Sequence, residues 1–242
     1  MYLKTEAVVL RRIPYNDHAY IISFYSLENG RLDCIRYGTK VGKQNVGLAY
    51  FEPFQVVDLV IEKKVGKSLA RIVEVKMSMT TGTGKMNPAK NAIAFFLSEC
   101  LYRILRESTV DKALYLFIRQ SVELLNTMQQ EIANFHLVFL LQMTKYLGFY
   151  PNMESASNAG YFDMVNGVFV ADRPTHSFFL ATDESRVLMR LFRINYRNMR
   201  FFHFARHDRV RMLNLLLDYY RIHLPDFGNI SSLSVLTDLF DE

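Results

Sequence analysis

Apolar and polar residues alternate along the first third of this chain with one period and along the rest with another, the change falling near Met77. Up to that point the runs KTEAVVLRR, AYIISFYSL, RLDCIRYG, FQVVDLVIEKK and SLARIVEVKM are rich in Val, Ile, Tyr and Phe. Branched and aromatic side chains pack well on a pleated surface, so each run predicts a strand. The joints carry turn chemistry. Glu28-Asn29-Gly30 predicts a tight hairpin because Asn and Gly tolerate positive φ, and Val65-Gly66-Lys67-Ser68 predicts a second. A longer joint from Gly38 to Pro53 holds Gly38, Gly42 and Gly47 and predicts an excursion or a short helix. Five strands in about 75 residues fit a small barrel, since closure hides the edges of a short all-β domain.

The polar, glycine-bearing stretch Ser78 to Asn87, SMTTGTGKMN, marks a domain boundary. Asn87-Pro88 then opens a helix, with Asn capping orphan N–H groups and Pro at a position that needs no donor. Ile93, Phe96, Leu97, Cys100, Leu101, Ile104 and Leu105 recur at helical spacing and predict one broad buried stripe. A second helix starts near Asp111 and carries Tyr115, Ile118, Val122 and Leu125. A third runs to Leu147 with Ile132, His136, Phe139, Leu140 and Met143, stopped by Gly148 and Pro151. GYFDMVNGVFVA, Gly160 to Ala171, alternates around Asn166-Gly167 and predicts an inserted β-hairpin. Thr182-Asp183-Glu184 predicts a capped helix start, and further helices are expected from about Arg206 to His223 and from Ser232 to Phe240. The expected class is α+β: a five-stranded barrel over 1–80, then a mainly α-helical domain with an inserted hairpin over 81–242.

With half of 242 residues apolar and 14% aromatic, core material is ample and intrinsic disorder is excluded. The longest apolar runs, such as Ile93 to Leu97 and Leu137 to Leu141, fall well short of the roughly 20 residues a bilayer span requires, so no membrane association is expected. The opening MYLKTEAVVLRR has charges within its apolar stretch and reads as no signal peptide. Cys34 and Cys100 make neither a disulfide framework nor a thiolate zinc site, which fits a reducing, cytoplasmic compartment.

Charge changes the picture only when it is divided. Lys and Arg number 29 against 24 Asp and Glu, a formal +5. Residues 1–80 hold twelve bases and eight acids, so four of the five net charges lie in the barrel segment, interleaved with Tyr15, Tyr20, Tyr25, Tyr37, Tyr50 and Phe51. Cations for phosphates beside flat rings for bases suit single-strand binding. Barrel-core aromatics with solubilising lysines explain the same residues, and residue types alone do not separate the two. A second basic feature is Arg186, Arg190, Arg193, Arg197 and Arg200, which share one face if their helix is unbroken, although Asn195 is a candidate break. Nucleic acid, an acidic peptide and plain solvent all fit such a stripe.

Catalytic patterns are sparse. His203 and His207 have helical metal-ligand spacing but no third ligand, and Gly82-Thr83-Gly84-Lys85 lacks the strand before and the hydroxyl after that a phosphate-cradling loop requires. There is no GxSxG elbow. His136 reads as a core histidine and both cysteines as inert buried thiols.

TEAVVLRRIPYNDHAYIISFYSLENGRL resembles the opening of the RecO family of bacterial recombination mediators, and FEPFQVVDLVI its Pro-Phe strand entry. HLVFLLQMTKYLGFYPN is similar to the family's helix ending in Leu-Gly-x-x-Pro, YFDMVNGVF to its hairpin, and LLLDYYRIHLPDFGNISSLSVLTDLF to the C-terminus of Bacteroidetes-like members. The likeness runs in order over nearly the whole chain. It implies an OB-fold for the N-terminal domain, binding of single- and double-stranded DNA, annealing of complementary strands, and help in loading recombinase onto partner-coated single strands. It also implies a RecR-like partner, the acidic C-terminal tail of single-stranded DNA-binding protein as another, and a bacterial, nucleoid-associated location. Many members carry a four-cysteine zinc knuckle after that helix. Here the corresponding region, about 151–172, holds no cysteine, so no metal and no cofactor is expected.

On this picture the chain is a non-enzymatic mediator. Phosphate contacts fall to Arg11, Arg12, Arg31, Arg36, Lys40, Lys43, Lys63, Lys64 and Lys67, base stacking to Tyr37 and Tyr50, and an acidic partner tail to Arg103, Arg106 and Arg119. The competing reading is an interaction scaffold whose barrel binds a protein rather than DNA.

Overall fold

The structure, a computed structural model, describes residues 1–38, 47–64, 66, 69–78, 87–106, 109–154 and 160–239. The expected linker lies almost wholly outside these residues, as do three of the four positions of the second predicted hairpin turn.

Five strands, β1 (Tyr2–Asn16), β2 (Ala19–Ser26), β3 (Gly30–Tyr37), β4 (Val56–Glu62) and β5 (Ala70–Met77), close into a barrel of order β1-β2-β3-β5-β4. Four of the pairings are antiparallel, and β3 with β5 is parallel. That connectivity is the five-stranded Greek-key barrel of the OB-fold. β1 is long because it serves two neighbours: Tyr2 to Val8 pair with β4, Ala7 to Asn16 with β2, and a bulge at Leu10 lets the strand turn the corner. Gly30 takes φ 63 at the first hairpin, as its turn requires. Inside lie Val9, Ile22, Phe24, Cys34, Val57, Leu59, Ile61 and Ile72, plugged by Phe51 from a 3-10 turn at Ala49–Phe51. The Phe24 and Phe51 rings meet edge to face at 6.2 Å.

The barrel belongs to a compact unit that comprises Met1–Met128 and Ile230–Leu236. It therefore contains α1 (Pro88–Ile104) and α2 (Lys112–Thr127). Both helices start as their sequences dictate. The Asn87 side chain accepts from the Lys90 N–H at 3.2 Å, and Asp111 from the Leu114 N–H at 3.0 Å. Arg119 of α2 reaches Glu6 of β1 at 2.8 Å, Tyr115 donates to the same carboxylate at 2.9 Å, and Ser78 hydrogen-bonds it as well. Ser231 and Ser232 donate their N–H groups to the α1 carboxylate of Glu99 at 3.0 and 2.8 Å.

The second unit, Gln129–Asn229 with the residues after Leu236, holds α3 (Phe135–Tyr146), α4 (Thr182–Phe192) and α5 (Arg206–His223); a last helix, α6 (Leu233–Leu239), begins in the first unit. The predicted hairpin is present as β6 (Tyr161–Asp163) and β7 (Val168–Val170), and an unforeseen two-residue strand, β8 (Phe179–Leu180), pairs with the far side of β6. Two residues lie below the length at which periodicity carries information. α3 begins at Phe135, so Ile132 precedes it. His136 is a core histidine, its ring driven to a pKa of about 3 by burial and by the neighbouring Arg209 charge, and so neutral. Thr182 is the first residue of α4 rather than its cap, since the preceding residue is Ala181 and no side chain caps the helix; Asp183 and Glu184 still sit at its positive end.

Candidate nucleic-acid interface

Strand pairing decides which barrel residues face outward. Residues opposite one another share a face, so the ladder Ile13, Ile21, Ile35, Arg71, Glu62 and Tyr2 runs once around the exterior and returns to β1. Two further outward rows cross β1, β4 and β5: Lys4, Val60 and Glu74, then Glu6, Asp58 and Lys76. These line a hollow of about 450 Å³ with three carboxylates and two lysines. Such a face has no positive excess to offer a phosphate.

Three cations of the barrel are grouped elsewhere, around the β4–β5 connection. Lys63 and Lys64 follow β4 and are exposed, Lys64 standing 3.8 Å from Glu62. Arg71, which opens β5 two ladder positions from Tyr2, places its guanidinium 5.8 Å from the centroid of Tyr37, a ring 54% exposed at the end of β3. Tyr2 and Tyr15 are exposed at 66% and 60%. Cations on the β4–β5 connection, an open ring ending β3 and another beside the β1–β2 turn occupy the surfaces through which OB-folds hold oligonucleotides. Arg71 and Tyr2 were not among the sequence candidates, and Tyr15 stood there only among the interleaved rings, not among the chosen contacts. Alternation in ARIVEVKM, with Ile72 inward, was the signal that put Arg71 outside.

The other sequence candidates are placed unequally. Arg12 is tied to the Leu48 carbonyl at 2.8 Å and to Glu52 at 3.1 Å. Arg36 donates to the Ile72 and Val73 carbonyls, both at 3.3 Å, serving the end of the parallel β3–β5 pair. Arg31, with its side chain only 10% exposed, pairs with Asp33 at 3.1 Å and lies 4.5 Å from the Tyr102 ring centroid; Arg11, which is exposed, approaches the same ring at 4.8 Å. Tyr50 packs on the barrel core. Lys40, Lys43 and Lys67 lie outside the described residues. On the helices Arg106 is exposed, Arg103 stands 3.9 Å from Glu99, and Arg119 is committed to Glu6 and Glu123. Burial works to raise the Glu6 carboxyl, but hydrogen bonds from Ser78 and Tyr115 and the Arg119 charge outweigh it and hold the group below its ordinary value.

The described residues show no cluster of three or more His, Cys, Asp or Glu able to hold a metal, and no helix among them is long and apolar enough to cross a membrane. Burial pushes the Cys34 thiol up to about 12 and the Cys100 thiol well up too.

Comparison with known proteins adds what geometry alone does not. Residues 1–80 match the family model for the N-terminal part of recombination protein O, and residues 86–231 that for its C-terminal part. The chain belongs to the RecO family. RecO proteins are non-catalytic recombination mediators. The DNA repair protein RecO of Azobacteroides pseudotrichonymphae is 36% identical over the whole of both chains, and that of Bacteroides fragilis 37% over the whole of both. The RecO of Flavobacterium psychrophilum is 30% identical, over 99% of this chain and all of its own.

Proposed function

We propose that this RecO-family chain binds single- and double-stranded DNA on the basic edge of its barrel, anneals complementary strands, and helps load recombinase onto partner-coated single strands. The observation that carries the reading is the grouping of Lys63, Lys64 and Arg71 around open Tyr2 and Tyr37, whereas on the β1–β4–β5 hollow acids and lysines compensate one another. Two complementary strands repel through their phosphates. A protein that covers phosphates with cations and leaves base edges free lowers that barrier, with no bond made or broken. Arg11, exposed beside the Tyr102 ring of α1, is a further proposed phosphate contact, whereas Arg12, Arg31 and Arg36 support the barrel by fixing strand ends and its exterior. Arg103 and Arg106 are the cations proposed to receive the acidic C-terminal tail of single-stranded DNA-binding protein, because Arg119 already neutralises Glu6. A RecR-like protein is the other proposed partner.

The test is oligo-dT affinity across a salt series. Reversing Lys63, Lys64 and Lys67 to Glu is expected to weaken binding more than reversing Arg190, Arg193 and Arg197, and to flatten the log–log salt slope by about 2, at roughly 0.7 per lost single-strand phosphate contact. Binding that is absent or indifferent to salt would sink the DNA reading and favour the scaffold. The opposite ranking would move the principal site to the second unit.

A further inference from the structure

The arginine-rich stretch is not one helix. α4 ends at Phe192, and the chain then folds over itself through two asparagines. Asn195 Oδ1 accepts the N–H groups of Arg197 and Asn198 at 2.9 and 3.1 Å, Asn198 Oδ1 accepts that of Asn195 at 2.7 Å, and Asn198 Nδ2 donates to the Arg193 carbonyl at 2.8 Å. Asn134, just ahead of α3, pins the far end by donating to the Met199 and Phe202 carbonyls at 3.2 and 2.7 Å. Ile194 and Met199 turn inward at 1% exposure each, and Phe204 at 6%. What this fixed loop turns outward is Arg193, Arg197, Arg200 and Phe201.

Phe201 is 67% exposed, with the Arg200 guanidinium 4.6 Å from its centroid. One exposed ring alone is ordinary. Its surroundings are not. The basic residues at either end of the stretch are compensated, Arg186 by Asp183 at 3.4 Å and Arg211 by Glu184 at 3.7 Å. Asp208 is the single acid between Arg186 and Arg211, and it faces His207 at 3.1 Å. Among the described residues Arg193, Arg197 and Arg200 have no carboxylate within ion-pairing distance. Three uncompensated guanidiniums on the same hydrogen-bonded loop as an open ring, one of them beside it, pair phosphate recognition with a stacking face and need little ordering to bind.

We infer that the loop from Arg193 to Phe201 is a second, independent seat for single-stranded DNA, in which one base stacks on Phe201 and the three arginines hold the flanking phosphates. A protruding ring suits a flat base better than a peptide side chain, which needs a groove to be desolvated. The inference rests on the proposed function and deepens it: annealing brings two strands together, and a protein with a seat on each of two units holds one strand on each.

The experiment uses the full chain and fluorescently labelled oligo-dT, with an abasic oligomer of equal length as a probe of equal charge. In the background of Lys63, Lys64 and Lys67 reversed to Glu, residual oligo-dT binding is expected. Adding Phe201→Ala should weaken that residue of binding by about 5- to 150-fold, the loss of one stacked base, while leaving the abasic oligomer unaffected. Phe201→Trp should restore it. Residual binding that ignores Phe201→Ala, or falls equally for both probes, overturns the seat and leaves the barrel reading standing. Loss of an acidic peptide's binding on Phe201→Ala with DNA binding intact overturns it in favour of a peptide dock. A wild-type chain that binds no oligo-dT removes both proposals together.

Discussion

Replacing Gly167 with alanine tests how tightly the β6–β7 hairpin is built into the second unit. Gly167 holds φ +66 at the turn, and a Cβ there would lie 2.6 Å from the Tyr219 hydroxyl oxygen. Real Cβ contacts do not come that close, so either the turn or the tyrosine must move. Tyr219 is poorly placed to yield. Its hydroxyl donates to the Phe149 carbonyl at 2.8 Å, its ring packs edge to face on Phe149 at 5.7 Å and on His223 at 4.5 Å, and the residue is 4% exposed. The left-handed conformation costs an L-residue about 1–2 kcal/mol. Displacing the hydroxyl adds about 1–3 kcal/mol for the partly buried Phe149 carbonyl left unmatched. Gly167→Ala is therefore expected to destabilise by about 2–5 kcal/mol, read as a drop in the urea midpoint by circular dichroism. Tyr219→Phe separates the two causes. It removes the obstructing oxygen, so in that background Gly167→Ala should retain only the backbone cost, about 1–2 kcal/mol. An equal cost in both backgrounds would refute the steric argument.

Two further expectations follow from burial and charge. Glu6 has its folded pKa below the unfolded value of 4.5, so its contribution is present above that value and lost as pH falls through the folded pKa. The stability gap between wild type and Glu6→Gln should accordingly shrink in unfolding curves taken at successively lower pH below 4.5, and a gap that widens on acidification would reverse the assignment. Cys34 and Cys100 are both fully buried with raised pKa values, so neither should react with a thiol reagent at pH 8 until the chain is denatured; rapid labelling of the native protein would contradict that packing.

Pattern and turn chemistry, properties of neighbouring residues, determined the barrel strands, the Asn87 and Asp111 helix starts, the Asn166-Gly167 hairpin and the burial of both thiols. Family membership was legible too, because it rests on the order of such segments. Charge was legible only as a sum. Which cations remain available depends on partners far away in sequence: Arg119 is taken by Glu6 and Arg12 by the Leu48 carbonyl, whereas Arg71 joins Tyr37. The same holds for the arginine stripe. Its spacing suits an unbroken helix, but Asn195 and Asn198 offer the backbone better hydrogen bonds than the next turn of α4, and Asn134, some 60 residues upstream, holds the loop they make. Local periodicity is encoded residue by residue, while the pairing that decides which charges stay free arises only when distant segments meet.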